Sequence, residues 1–218
     1  MQTDGDNRGA SRDRVTKKSA TTLLHRLAHR SQNISMLVTM SVATNLPDPP
    51  LAFEPPGVLD IEASGFGVGS YPIEVGFVLP DGQTYCSLIR PAPNWLHWDP
   101  QAQKVHGISQ QMLATHGRSV QEVVQQLNDR LQGRTLYTDA WLHDYTWLAT
   151  LFEAADRVPA FRLDDLRSLF TETEATHWHV VKKQVATELK LQRHRASSDA
   201  KILQTTLIRL RAPLPRRA

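Results

Sequence analysis

The sequence has little cysteine and no long apolar run. Its 218 residues include a single cysteine, Cys86, which excludes a disulfide within the chain and a cysteine-rich zinc site. A single cysteine is typical of a reducing compartment, and we expect a cytoplasmic protein. No stretch of about 18 apolar residues is present, so no membrane span is predicted. The 40% hydrophobic and 22% charged residues are typical of a globular chain.

Positive charge is confined to the two ends of the chain. Residues 1–30 carry seven Lys/Arg and three Asp, and residues 209–218 carry four Arg and no acid. Residues 31–208 carry fourteen Lys/Arg and nineteen Asp/Glu, so the middle of the chain is acidic although the net charge is +3. This distribution is unlike that of a domain that binds nucleic acid through overall positive charge.

The first 56 residues are predicted to form a flexible basic tail. Five prolines lie between Pro47 and Pro56, and the segment has too little apolar surface to offset the entropy lost on ordering. Translation from Met36 or Met40 stays open. The predicted organisation is a disordered N-terminal tail over 1–56, a folded domain over 57–211 and a basic C-terminal tail over 212–218.

Alternating and 3.6-residue apolar patterns predict an α/β domain with a mixed five-stranded sheet flanked by helices. Strands are expected over 58–62, 73–79, 83–89, 135–138 and 161–163. Helices are expected over 100–106, from Ser109, and over 120–131, 145–155, 164–170, 177–189 and 196–210. Cys86 alternates along the third strand and is expected in the core.

Asp60 and Glu62 are the first chemical signal. Residues i and i+2 of a strand point to the same side, so two carboxylates project together from an otherwise apolar strand. Two like charges side by side are costly to bury unless a cation neutralises them, and Mg²⁺ or Mn²⁺ prefers oxygen ligands. An ordinary exposed strand end with two acids is the alternative.

Two later segments add acids and a histidine. Asp139 or Asp144 could direct a third carboxylate toward the first strand, or they could end a strand and cap a helix. His194 precedes the last helix, where an imidazole can act as a general base, and Asp199 lies in its first turns. A surface histidine and an aspartate interacting with the helix dipole are the alternative for this pair.

In this order, the three segments resemble the DEDD exonucleases. The histidine five residues before the last aspartate resembles the DEDDh branch, which includes RNase T, oligoribonuclease and the proofreading subunit of bacterial DNA polymerase III. Residues 59–66 resemble the first family motif, residues 73–76 its second strand and residues 106–108 its His-Gly-Ile segment. The resemblance covers about residues 58–210.

The sequence departs from the family pattern at two motifs. Ala63-Ser64 stands where the family usually has Thr-Thr. In the second motif, Asp139 takes the place of an asparagine and one extra residue is present. Asp144 is followed by Tyr-Thr-Trp-Leu, which matches the family spacing, so Asp144 is chosen as the third carboxylate and Asp139 is the second choice.

The resemblance implies a ribonuclease H-like fold and a metal-dependent 3′-5′ exonuclease that releases nucleoside 5′-monophosphates from single-stranded DNA or RNA. It implies two Mg²⁺ or Mn²⁺ ions, with His194 as the proton acceptor from water. The implied metal ligands are Asp60, Glu62, Asp144 and Asp199. Some family members pair as dimers, which suggests a homodimer.

Substrate contacts are expected beside the first motif. Backbone groups of Ser64 and Gly65 would reach the terminal 3′-hydroxyl, Phe66 would wedge against the last base, and His106 would stack on a base or contact the sugar. Plain packing is the alternative for Phe66 and His106. DNA and RNA are not distinguished. Two other functions stay open: an inactive DEDD-like module that binds nucleic acid or a polymerase, and a metal-dependent phosphoesterase acting on small substrates.

Overall fold

The computed structural model describes residues 53–212. Most of the predicted N-terminal tail and all but the first residue of the predicted C-terminal tail lie outside this range. Within it, no helix is both long and apolar enough to cross a membrane.

Five strands form one mixed sheet with the spatial order β3-β2-β1-β4-β5. The strands are β1 (Gly57–Ala63), β2 (Pro72–Val78), β3 (Thr84–Leu88), β4 (Thr135–Thr138) and β5 (Arg162–Asp165). β1 pairs antiparallel with β2, β2 pairs antiparallel with β3, and the β1–β4 and β4–β5 pairs are parallel. β1 therefore lies at the centre of the sheet, where both of its faces are covered.

Six α-helices accompany the sheet in the described range. They are α1 (Pro100–His106), α2 (Gln110–His116), α3 (Val120–Leu131), α4 (Trp141–Ala154), α5 (Glu172–Leu189) and α6 (Ala196–Arg211). The main core joins one face of β1 and β2 to α3 and α4. A second core joins the opposite face to α6 and to Trp178 of α5. This arrangement confirms the predicted α/β class with a mixed sheet flanked by helices.

Four local predictions are wrong. α5 begins at Glu172, five residues before its predicted start at His177. α4 begins at Trp141, four residues before the predicted start, and no side chain caps its N-terminus. The predicted helix over 164–170 is instead the end of β5 followed by a 3₁₀ helix over Leu166–Leu169. Cys86 is exposed, because β3 is an edge strand and the face that carries Cys86 is incompletely covered.

Candidate active site

The two acids of β1 face α6. Leu59 and Ile61 enter the core on the α3–α4 side, whereas Val58 packs in the core on the α6 side. Since side chains alternate along a strand, Asp60 and Glu62 lie on the same face as Val58. Both side chains are partly buried. Their burial favours a functional site over the alternative of an exposed strand end.

The third acid of the cluster is Asp144, in the first turn of α4. Its side chain is almost fully buried and accepts a hydrogen bond from the Thr138 hydroxyl at the end of β4. Asp139 contacts the ammonium of Lys182 instead and is not among the residues that line the cavity formed around Asp60. The structure thus brings Asp144, the first choice, to the β1 acids and leaves Asp139 outside the cavity.

The start of α6 supplies the remaining two groups. Ligand atoms of Glu62, His194 and Asp199 lie within 4.8 Å of one another, and no other set of three such groups in residues 53–212 does so. The backbone N–H of His194 donates to Asp199 Oδ2 at 2.8 Å. His194 has a φ of 57°, a left-handed conformation that is uncommon for residues other than glycine.

Burial and mutual repulsion raise the pKa values of the acids. The pKa of Asp60 is well above its ordinary value because of burial, and the charges of Asp144, Glu62 and Asp199 raise it further. Burial, and then the charge of Asp199, raises the pKa of Glu62 to about 7. Burial likewise raises the pKa of Asp144 to about 7, against an opposing hydrogen bond from Thr138. The cluster is therefore unfavourable when its carboxylates are ionised without a cation, and it suits a bound cation.

The donor set fits hard divalent cations. Carboxylate oxygens are the ligands that Mg²⁺ and Mn²⁺ prefer. The ions would be held by Asp60, Glu62, Asp144 and Asp199. His177 and His179 do not form a comparable cluster, and the His177 ring contacts the carbonyl of its own helix at Thr173.

A cavity of about 520 Å³ opens over these acids. Its lining includes the four carboxylates and His194, together with three of the predicted substrate residues: Gly65, Phe66 and His106. No lysine or arginine of the described chain lines it, and much of the remaining wall is apolar. The cavity therefore combines cation ligands with apolar surface.

Phe66 and His106 occupy different environments. The Phe66 side chain is 69% exposed, and its ring centroid lies 5.2 Å from that of His143 and 5.7 Å from that of Trp147. His106 is buried, and its Nδ1 accepts from the Ile108 N–H at 3.0 Å. Its Nε2 therefore carries the proton and finds no partner among the described residues. Phe66 is free to contact a ligand, whereas the Nε2 of His106 is buried.

Two residues near the end of the first motif, Ser64 and Gly65, differ in how accessible they are to a ligand. Ser64 is buried and does not line the cavity, which corrects its predicted position. Its N–H donates to the Tyr71 carbonyl at 2.9 Å, and its carbonyl accepts from the Asp99 N–H at 2.8 Å. Gly65 does line the cavity, with a φ of +147°, and a Cβ there would lie 2.7 Å from the Asp99 Cβ. Of this pair, only Gly65 is placed to contact a ligand.

Several residues that the sequence analysis left without a role support the site. His143 and Trp147 lie one helical turn apart on α4 and form the wall beside Phe66.

Glu74, a charged residue inside the apolar strand β2, binds Arg195 at the start of α6. In the sequence, the one feature that could have indicated a role for Glu74 is its ionisable side chain within an apolar strand. Trp95 and Trp98 serve packing, stacked on Tyr71 and hydrogen-bonded to Gln103 respectively.

No protein-family model and no curated protein sequence matches the chain. Solved structures do match it. E. coli exonuclease I in complex with a dA16 oligonucleotide aligns with a TM-score of 0.55 and 13% identity, over 72% of this chain and 41% of that one. Exonuclease I from Methylocaldum szegediense aligns with a TM-score of 0.52 and 15% identity, over the same two shares. A 3′-exonuclease that recognises the histone mRNA stem-loop aligns with a TM-score of 0.52 and 14% identity, over 72% and 81%.

The chain has a ribonuclease H-like fold. This confirms the fold implied by the three motif segments. The chain spans about two fifths of the length of the exonuclease I structures, 41% in each case. At these identities the likeness establishes the ribonuclease H-like fold, and the activity of the chain has to be argued from its own site.

Proposed function

We propose that the protein is a metal-dependent 3′-5′ exonuclease acting on single-stranded nucleic acid. One observation carries the proposal. Four carboxylates from three distant segments of the chain converge with His194 on one cavity, and burial raises the pKa of three of them. Such a group of acids is costly to keep without a cation, and perturbed pKa values of this kind are common at catalytic sites.

The metal ligands would be Asp60, Glu62, Asp144 and Asp199. Divalent cations bound there would lower the pKa of a coordinated water and offset the charge that develops on a phosphodiester. His194 lies beside Glu62 and Asp199 at the edge of the cavity, within reach of a water held by those acids. The His194 imidazole would accept the proton of that water as it attacks phosphorus, and the leaving 3′-oxygen would depart on the opposite side.

The apolar part of the cavity would hold the terminal nucleotide. The exposed Phe66 ring, backed by His143 and Trp147, offers a stacking surface for an unpaired base. His106 lines the same cavity, and its buried Nε2–H, unpaired among the described residues, would donate to a sugar or phosphate oxygen only if a bound nucleotide displaced the side chains that cover it. Base stacking tolerates any sequence, so we expect little base preference and a requirement for unpaired ends.

The test is digestion of a single strand labelled at its 5′ end, as DNA and as RNA, with Mg²⁺ or Mn²⁺. A ladder that shortens from the 3′ end and releases 5′-monophosphates is expected. Asp60→Ala and His194→Ala should each abolish the ladder while keeping a native circular-dichroism spectrum. Wild-type rates in either variant would refute the assigned roles.

Two other results would replace the proposal. Absence of a ladder on DNA and on RNA with both metals would exclude the exonuclease. If binding of the strand persisted, an inactive nucleic-acid-binding module would be favoured. Hydrolysis of a small phosphodiester without digestion of the strand would favour a phosphoesterase for small substrates.

A further inference from the structure

Glu74 is a fully buried carboxylate in the middle of β2. Acids are almost never fully buried unless they are paired, and here both oxygens are occupied. Arg195 Nε donates to Oε1 at 3.0 Å and to Oε2 at 3.1 Å, and the terminal Nη2 donates to Oε1 at 2.6 Å. The backbone N–H of Ala196 donates to Oε2 at 2.9 Å. The carboxylate is thus fully used inside the protein and does not line the cavity.

The partners of Glu74 form the N-terminus of α6. The first N–H groups of a helix lack partners within the helix, and Arg195, the residue before α6, makes no side-chain cap of its own. Glu74, on β2, accepts a hydrogen bond from the Ala196 N–H and so supplies the missing cap. The contact between β2 and α6 is also close at Gly76, where a Cβ would lie 2.2 Å from the Ser197 nitrogen. The start of α6 is therefore held directly against β2.

This helix start carries two groups of the proposed active site. His194 immediately precedes Arg195, and Asp199 lies in the first turn of α6. His194 keeps its left-handed φ of 57°, a conformation that persists only where the surrounding structure holds it. The bond from the His194 N–H to Asp199 holds one side of the residue, and the contacts of Glu74 with Arg195 and Ala196 hold the other.

We propose that Glu74 is a positioning residue of the active site, which acts through Arg195 and Ala196 to direct His194 and Asp199 toward Glu62. This inference rests on the proposed function for the roles of His194 and Asp199. The Glu74 carboxylate does not line the cavity, although Glu74 lies opposite Glu62 in the β1–β2 pairing. Loss of its charge should move the two groups relative to Glu62 and should leave the terminal-nucleotide cavity around Phe66 unchanged.

The first test compares the wild type with Glu74→Gln in calorimetric titrations with Mn²⁺ alone and in the strand-digestion assay. Residues that orient metal ligands contribute about 10- to 100-fold to metal affinity or activity, so we expect losses of that size in Mn²⁺ affinity and in kcat. KM for the strand should change less than kcat. Wild-type Mn²⁺ affinity and kcat in Glu74→Gln would overturn the proposal.

A double variant separates positioning from stability. Replacing both members of a buried ion pair by apolar residues of similar volume is often neutral or stabilising. Glu74→Met/Arg195→Met should therefore recover the melting temperature lost in Glu74→Gln, while kcat and Mn²⁺ affinity stay reduced. Recovery of all three quantities together would show that the pair only stabilises the fold.

The chain offers a matched control at the other end of the same helix. Arg211 Nε binds Glu174 Oε1 at 2.7 Å, so Glu174→Gln weakens a similar pair far from the cavity. It should lower the melting temperature without changing Mn²⁺ affinity or kcat. If the wild type gives no ladder but Mn²⁺ affinity still falls in Glu74→Gln alone, the exonuclease is refuted and the positioning role stands. If the wild type gives a ladder and Glu74→Gln behaves like Glu174→Gln, only the positioning role is refuted.

Discussion

Lys182 on α5 forms an ion pair with Asp139, the residue that follows β4. The pair occupies the Asp139 carboxylate. Asp144, five residues later, is buried against Thr138 and lines the cavity with the β1 acids. Two aspartates that are close in sequence thus lie in different surroundings, and only one of them joins the cluster.

The first prediction follows from this difference. Asp144→Asn should lower kcat/KM for strand digestion by at least about 100-fold, because it removes a charge that the site uses to hold cations. Asp139→Asn should change kcat/KM by less than about fivefold, the effect of a partly exposed ion pair worth up to ~1 kcal/mol. Parallel digestion assays of the two variants check this. The reverse order of the two effects would make Asp139 the third carboxylate.

The second prediction concerns pH and the stability of the metal-free protein. In the folded state the pKa values of Glu62 and Asp144 are about 7, above the values of roughly 4 that these groups have in an unfolded chain. Stability from these groups is therefore complete below about pH 4 and is lost as the pH rises through about 7. In EDTA, the melting temperature should fall between about pH 5 and pH 8.

Other titrating groups also affect that melting temperature, so the comparison is with Glu62→Gln. The variant carries no charge at this position and should show a smaller fall over the same pH range. It should also be more stable than the wild type at about pH 8 in EDTA. Parallel slopes for the two proteins would contradict the raised pKa of Glu62.

The third prediction concerns metal binding. Mn²⁺ at 100 times its Kd should add about 2.7 kcal/mol to the stability of the folded protein. At a fixed Mn²⁺ concentration the effect should be larger at about pH 8 than at about pH 5, because protons compete for the same carboxylates and raise the Kd. Thermal melts with and without Mn²⁺ measure it. Asp60→Asn should lose most of this shift and Asp139→Asn should keep it; equal shifts in both variants would place the metal elsewhere.

The fourth prediction concerns the aromatic wall. Phe66→Ala should raise KM for a single strand by about 5- to 150-fold, the equivalent of ~1–3 kcal/mol of base stacking. Because the ring is 69% exposed, the melting temperature should change little. Steady-state digestion kinetics check this, with Val68→Ala as the control, since Val68 is a fully exposed residue of the same loop. Equal KM values for Phe66→Ala and the wild type would leave Phe66 with a packing role only.

Much of the fold could be predicted from the sequence because its signals are local. The apolar period of 120–131 and the following Gly133 predict α3 with both of its ends, and Ser119 closes a capping box with Glu122. The β2–β3 hairpin follows from the Pro80-Asp81-Gly82 turn between two apolar strands. Asp60 and Glu62 lie on one face of β1 because the pleat of a strand imposes it.

The beginning of α4 could not be predicted in the same way. Asp139 and Asp144 both look like capping residues, and Tyr145 begins the clear apolar pattern. The helix instead begins at Trp141, where its indole N–H donates to the Leu163 carbonyl of β5 at 3.2 Å. That contact joins residues 22 positions apart in the chain. Because the helix begins at Trp141, Asp144 lies in its first turn and lines the cavity instead of capping the helix.

The sequence by itself determined which acids and which histidine are available, that Asp60 and Glu62 share one strand, and that Asp199 lies on the last helix. Only the tertiary structure decided which of them meet. Lys182 binds one of two aspartates, Glu74 holds the start of α6 against β2, and burial at the centre of the sheet raises the pKa values of the clustered acids. These are contacts between segments far apart in the chain, and charge, burial and distance at such contacts depend on packing that no local pattern encodes.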